Sequence, residues 1–255
     1  MRMIPIVLLL SACSGSHEHS TDPIMEDTTE TTTKPSPGAI RIQPIHHSSL
    51  VLQWENFTIM VDPHDSIGRY TGFPPADLIL ITDIHGDHLD TTVLRNLDLA
   101  KARIVAPPAV HHLLPEDLRS VTDTLRNGEK METIGITVEA LAMYNLPGPG
   151  DPRHPKGRGN GYVLNIGGER IYISGDTEDI PEMRALQNIG IAFVCMNLPY
   201  TMTVDQAASA VLDFKPRIVY PYHFRGKDGF SDVERFKQLV NAGDPSIEVK
   251  LADWY

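Results

Sequence analysis

Two imidazoles and three carboxylates fall within eight residues, in the run Asp83-Ile84-His85-Gly86-Asp87-His88-Leu89-Asp90. Neutral imidazole and carboxylate oxygen together suit zinc, iron or manganese. The residues just before them, Leu78-Ile79-Leu80-Ile81, are apolar and read as a buried strand. Alternate residues of an extended segment share a face, which puts Asp83 beside His85. Gly86 then lets the backbone turn, so Asp87 and His88 swing back toward the same point. A polar loop with a capping aspartate is the plain alternative, but unpaired ligand-type groups rarely crowd one strand end without a metal.

Other strand ends carry the same residue types. The apolar strand Ile171-Tyr172-Ile173-Ser174 runs into Gly175-Asp176-Thr177, where the glycine clears space beside a carboxylate whose two oxygens can span two cations. The strand Ile218-Val219-Tyr220-Pro221-Tyr222 delivers His223 at its end. His154 lies in a Gly- and Pro-rich loop from Asn145 to Gly161, too long for a simple hairpin connection. Arg153, Lys156 and Arg158 surround it and could bind an anionic substrate group.

These candidates need a scaffold to converge. Strands are expected at 40–45, 49–54 and 57–62, the last two joined as a hairpin at Glu55-Asn56. Leu89, Val93, Leu94 and Leu97 recur at helical spacing, so a helix follows the first motif. A strand at 103–106, a helix at 107–114 and a strand at 136–143 come next. Tyr162 to Ile166, Gly167-Gly168 and Glu169 to Ser174 form a hairpin signature. A short helix at 181–187 precedes the buried strand 191–196, whose Cys195 reads as a small core hydrophobe. Thr203-Val204-Asp205-Gln206 and Ser231-Asp232-Val233-Glu234 are capping-box patterns opening two more helices, with a strand at 217–221 between them.

The 255 residues fit one large domain or two small ones. A formal charge of -11 argues against a nucleic-acid phosphate backbone as partner. A small anionic substrate held by a metal is compatible with it. Two cysteines, Cys13 and Cys195, imply no disulfide framework. At the N-terminus, Met1-Arg2 is positive and Met3 to Leu10 is apolar but too short to span a bilayer. Leu10-Ser11-Ala12-Cys13 resembles the bacterial lipobox, which implies acylation of Cys13 and a membrane anchor in the cell envelope. Ser14 after the cysteine leans toward the outer membrane, facing the periplasm. An ordinary secretory signal with an incidental Cys13 is the alternative. Residues 14–38 are too polar to fold and read as a tether, including His17 and His19. The folded domain is then 39–255.

Over roughly residues 40 to 225 the motifs, taken as a set, resemble the metallo-β-lactamase-fold hydrolases. The first stretch resembles their H-x-H-x-D-H motif, with Asp83 where the first histidine stands. Gly175-Asp176 is similar to the family's bridging aspartate, and His223 to its last histidine. No histidine follows strand 136–143, where Tyr144-Asn145 stand instead. Either His154 folds back as the third histidine, or Asn145 ligates through its amide oxygen and His154 contacts substrate. His47-Ser48-Ser49 resembles the family's G-H-x-S stretch without its glycine. Asp62-Pro63-His64 resembles its D-P turn. His47 and His64 are thus expected beside the ligands or facing substrate, along with Asn145, Arg153 and Lys156.

The resemblance, closest to the branch containing L-ascorbate-6-phosphate lactonase, implies a mixed α/β (α+β) fold, the four-layer αββα sandwich. It implies two divalent ions, zinc first, with manganese or iron as alternatives. Asp83, His85 and His154 would take one ion, Asp87, His88 and His223 the other, and Asp176 would bridge. A metal-bound hydroxide oriented by Asp87 would attack an ester, lactone or phosphodiester in a small molecule. Asp83 in place of histidine adds negative charge, favours harder cations and leaves a one-metal site in play. The alternatives are an envelope phosphodiesterase acting on lipids or nucleotides, and a lipoprotein that binds metal or ligand without turnover.

Overall fold

The computed structural model describes residues 38–148 and 150–255. The expected leader 1–13 with Cys13, and all of the expected 14–38 tether except Gly38, lie outside the described residues. The first sheet holds β1 (Arg41–His46), β2 (Ser49–Trp54), β3 (Phe57–Val61), β4 (Leu78–Leu80), β5 (Arg103–Ala106) and β6 (Thr122–Thr124) in that spatial order. The β1-β2-β3 meander is antiparallel, and β3 to β6 are parallel. The second sheet holds β7 (Lys130–Thr133), β8 (Ile136–Met143), β9 (Gly159–Ile166), β10 (Glu169–Ile173), β11 (Ile191–Cys195) and β12 (Ile218–Tyr222). A small hairpin, β13 (Arg225–Gly226) with β14 (Gly229–Phe230), stands apart from the sheets, and β15 (Glu248–Val249) edges the second sheet beside β12.

Period-two alternation decides which face of the first sheet meets which layer. Leu50, Leu52, Ile59, Val61, Leu78 and Leu80 join the core shared with the second sheet. Their neighbours Val51, Met60, Ile79 and Ile81 turn to the other side, under α1 (Thr91–Asn96), α2 (Pro108–Leu113) and α3 (Glu116–Arg119). The second sheet is covered by α4 (Pro181–Arg184), α5 (Val204–Phe214) and α6 (Val233–Gly243). The result is helices, sheet, sheet, helices. Tyr162 crosses between the sheets, its buried hydroxyl donating to the Ile81 carbonyl at 2.8 Å.

Several elements differ from the sequence reading. β6 and β7 carried no strand signal, because they are short, polar edge segments. α4 ends at Arg184 rather than near 187, and Asn188 takes left-handed backbone (φ 56°) beyond it. The Thr203–Gln206 capping box forms as expected. The second box does not: the Ser231 hydroxyl donates to the Met196 carbonyl instead, and Asp232 caps α6 by accepting from Arg235 N. β9 starts at Gly159, three residues before Tyr162, because Asn160 N reaches the Thr82 carbonyl at 2.9 Å and draws the chain against the β4 end.

The next residue, Gly161, packs as closely against the end of β10. A Cβ on Gly161 would sit 2.9 Å from the Ser174 carbonyl oxygen and 3.1 Å from that of Ile173, both backbone atoms of a buried strand. Gly161→Ala should therefore cost about 1–3 kcal/mol through overpacking. The check is a lower urea midpoint at unchanged slope; an unchanged midpoint would mean that the two segments have room to separate.

Candidate metal centre

The site forms where strand ends of both sheets meet. β3 runs into Asp62, which is fully buried and holds left-handed backbone (φ 44°). Its carboxylate accepts from Thr82 N at 2.7 Å, Thr82 Oγ1 at 2.6 Å and His88 Nδ1 at 2.8 Å. The Nδ1 proton is thus committed to Asp62, and the lone pair of His88 is on Nε2. A carboxylate that orients a histidine in this way fixes its tautomer and raises its basicity as a ligand.

His88 Nε2 points at Asp176, 3.4 Å from Oδ2. His154 Nε2 lies 3.1 Å from the same oxygen, and His223 Nε2 lies 3.0 Å from Oδ1. Yet His88 Nε2, His154 Nε2 and Asp176 Oδ1 have no aligned hydrogen bond, although all three are buried. Buried polar atoms are normally paired. Tetrahedral ligands at about 2.1 Å from one cation stand about 3.4 Å apart. The observed spacing is of that kind, with lone pairs converging instead of donors meeting acceptors. His88, Asp176 and His223 therefore fit a divalent cation.

Electrostatics agree. Burial pushes the His88 pKa down, but Asp176 and Asp62 outweigh it and raise it well above the ordinary histidine value. Burial pushes Asp176 up, but His223 and His88 hold it well below the usual carboxylate range. The pocket demands positive charge, as bound protons or as a metal ion.

His47 and Asp87 lie at one flank. His47 Nε2 is 3.3 Å from Asp87 Oδ2, and His223 Nε2 is 3.6 Å from the same atom. The Tyr255 hydroxyl is 2.9 Å from His47 Nδ1. Burial lowers the His47 pKa to about 4 despite Asp87, so the ring is neutral at pH 7. His64 is one layer back, its Nδ1 2.7 Å from Ser49 Oγ.

The other flank holds Asp83, His85 and His154, whose donor atoms also cluster. Here Asp83 is already engaged. Arg158 grips it with Nε–Oδ1 at 3.0 Å and Nη2–Oδ2 at 2.7 Å, and His85 Nδ1 is 2.9 Å from Oδ2. Arg158 is thus not free for substrate. Nor is Lys156, which pairs with Glu182 at 2.6 Å and lies over the Tyr144 ring. Asn145 offers no ligand atom: its Oδ1 accepts from His154 N at 2.7 Å and its Nδ2 donates to Tyr200 O at 2.9 Å. It clamps the loop that brings His154 in. Arg153 stacks over Tyr200, 4.7 Å from the ring centroid, with no carboxylate partner among the described residues.

Asp62, Thr82 and Asn197 were not singled out from sequence as site residues. Asn197 Nδ2 lies 3.3 Å from His223 Nε2. The available signal for Asp62 was its place in the Asp62-Pro63-His64 stretch that resembles the family's D-P turn, at the end of the strand beside the motif strand.

The sequence profile of the β-lactamase superfamily domain matches residues 41–223. This chain belongs to the metallo-β-lactamase-fold superfamily and is a metal-dependent hydrolase. It is 27% identical over 223 residues to a UPF0173 metal-dependent hydrolase of Pyrococcus abyssi, covering 83% of this chain and 96% of that one. It is 33% identical over 197 residues to a UPF0173 metal-dependent hydrolase of Thermoplasma acidophilum, covering 71% and 83%. The solved structure of a Parabacteroides distasonis protein assigned as a metal-dependent hydrolase aligns with a TM-score of 0.74 at 39% identity, covering 85% of this chain and 94% of that one.

Asp62→Asn keeps the shape but gives up the charge that orients His88. It should weaken zinc or manganese binding by about 10–100-fold, read by competition with a chelator of known affinity. Unchanged affinity would remove His88 from the ligand set.

Proposed function

We propose that this hydrolase cleaves an ester, lactone or phosphodiester bond in a small anionic molecule, using the centre at the strand ends. The observation that carries the reading is the convergence of buried, unpaired His88 Nε2 and Asp176 Oδ1 on one volume, with His223 Nε2 3.0 Å from that oxygen. When bound there, a divalent ion lowers the pKa of water from about 15.7 toward 7 and polarises a carbonyl or phosphoryl oxygen. Zinc, manganese and iron all accept this nitrogen and oxygen set.

The chain's own groups supply the rest. Asp87 is the half-exposed carboxylate of the centre, with its side chain 39% accessible. It accepts a proton from the attacking water and orients it. His47 supports Asp87: the Tyr255 hydroxyl accepts from Arg225 N at 3.1 Å, leaving its own hydrogen for His47 Nδ1 and an Nε2–H for Asp87. A cavity of about 330 Å³ reaches Asp87, Asp176 and Asn197, and a neighbouring one of about 640 Å³ shares Arg153 and Tyr200 with it. Arg153 stands at their junction and meets the anionic group of the substrate.

A screen of esters, lactones and phosphodiesters separates these roles. Asp87→Ala should retain metal and lose about 10²–10⁴-fold in kcat. Arg153→Ala should raise KM for anionic substrates about tenfold, the scale of one charge-assisted hydrogen bond, with kcat nearly unchanged. Full turnover by Asp87→Ala would remove it from the chemistry.

The same proposal places the enzyme at the bacterial envelope, tethered through acylated Cys13 toward the periplasmic face of the outer membrane. The lipobox-like Leu10-Ser11-Ala12-Cys13 supports this. The full chain should sediment with membranes, and Cys13→Ala should shift to the soluble fraction. Equal partition of the two would dismiss the anchor.

A further inference from the structure

The two flanks of the centre differ in one respect. Around Asp176 there are three imidazoles and, among the described residues, no guanidinium or ammonium partner. Around Asp83 there is already a permanent cation. Arg158 takes both carboxylate oxygens through its Nε and Nη2, and Nη2 lies 3.4 Å from His85 Nε2. The Asp83 side chain is wholly buried and that of Arg158 is 18% accessible, so water screens the pair little.

This pairing is built into the backbone. Arg158 immediately precedes β9, and Gly159 is its next residue. A Cβ on Gly159 would sit 2.8 Å from the Thr82 carbonyl oxygen and 3.1 Å from Asp83 Oδ1. The glycine lets the start of β9 press against the Asp83 segment, and Asn160 N fixes it there by donating to Thr82 O at 2.9 Å. The guanidinium is carried in on a strand end rather than on the exposed part of the loop.

A divalent ion ligated by Asp83 would need an oxygen within about 2.0–2.2 Å. Its approach would put two positive groups on one buried carboxylate, leaving the guanidinium only the longer contact to His85 Nε2, at 3.4 Å, among the described residues. We infer that Arg158 occupies the first-metal position as a fixed cation. The hydrolase then takes one divalent ion per chain, at His88, Asp176 and His223. The inference rests on the metal-hydrolase reading above and narrows it to a one-metal centre. His85 serves this flank by binding Asp83, and His154 closes the cavity over Asp176. The substrate then meets one Lewis-acidic ion and, on the Asp83 side, a guanidinium that holds a charge at every working pH.

The test is ion stoichiometry on the full-length chain, stripped with chelator and titrated separately with Zn²⁺ and Mn²⁺. Elemental analysis follows desalting, and the Mn²⁺ form is examined by electron paramagnetic resonance. Wild type should bind one equivalent and show an uncoupled Mn²⁺ signal. His85→Ala should still bind one, whereas His223→Ala should lose it. Arg158→Met frees Asp83 and should bind two, with an exchange-coupled Mn²⁺ signal. Two equivalents in wild type, with one lost in His85→Ala, would overturn the inference and leave the hydrolase reading intact. A wild type that binds neither ion would overturn both. Should Arg158→Met fail to fold, wild type and His85→Ala decide the question alone.

Discussion

One buried carboxylate fixes the working end of this sandwich. Asp62 binds the backbone and hydroxyl of Thr82 and the Nδ1–H of His88 at 2.6–2.8 Å. It therefore ties the end of β3 to the continuation of β4 and to the imidazole beyond the turn. Without that tie the Asp83–Asp90 segment would be a polar loop free to choose its own geometry. With it, His88 has one tautomer and one direction. Left-handed backbone at His47, Asp62 and His223 (φ 56°, 44° and 46°) shows how closely the surrounding strands determine the residues of this end. Such conformations persist only where the fold over-determines them.

Charge balance explains what the site asks for. An ionised carboxylate out of water costs several kcal/mol unless paired. Asp62 has His88, and Asp83 has Arg158 and His85. Asp176, 3% exposed, has only imidazoles among the described residues, and their lone pairs and protons are both in demand. The unmet requirement is local to Asp176, and it is met by a cation that can use His88 Nε2, His223 and the carboxylate together. Burial and charge thus point to the same position as the unpaired atoms do.

Much of this was legible in the residues. Alternating apolar strands gave both sheets, because each face of a strand meets a different layer. The strand ends at Asp83–His88, Asp176 and His223 stood out because polar residues stop an apolar run where a buried site must begin. What was not legible depended on pairing across the chain. Lys156 and Arg158 look alike as loop cations, but one meets Glu182 and the other Asp83 only after β9 is in register. Ser231 lost the cap of α6 to Asp232 because a distant Met196 carbonyl claimed its hydroxyl. Short-range patterns cannot see a partner tens of residues away.

Asn145 shows the same logic at the site itself. It stands where the resembled family places a third histidine, at the end of β8. Here its amide closes a two-way bridge to the loop: Oδ1 accepts from His154 N at 2.7 Å, while its own N donates to His154 O at 2.8 Å. Here the imidazole is carried by the loop, and a residue just beyond the strand is the clamp that holds it. A histidine on β8 would be positioned by the sheet alone. His154 is instead positioned by a loop that also carries Arg153 and leads into Arg158, so cavity shape, substrate charge and the Asp83 flank share one segment. Variation in that segment can alter what binds while leaving Asp62, His88, Asp176 and His223 on the rigid strand ends.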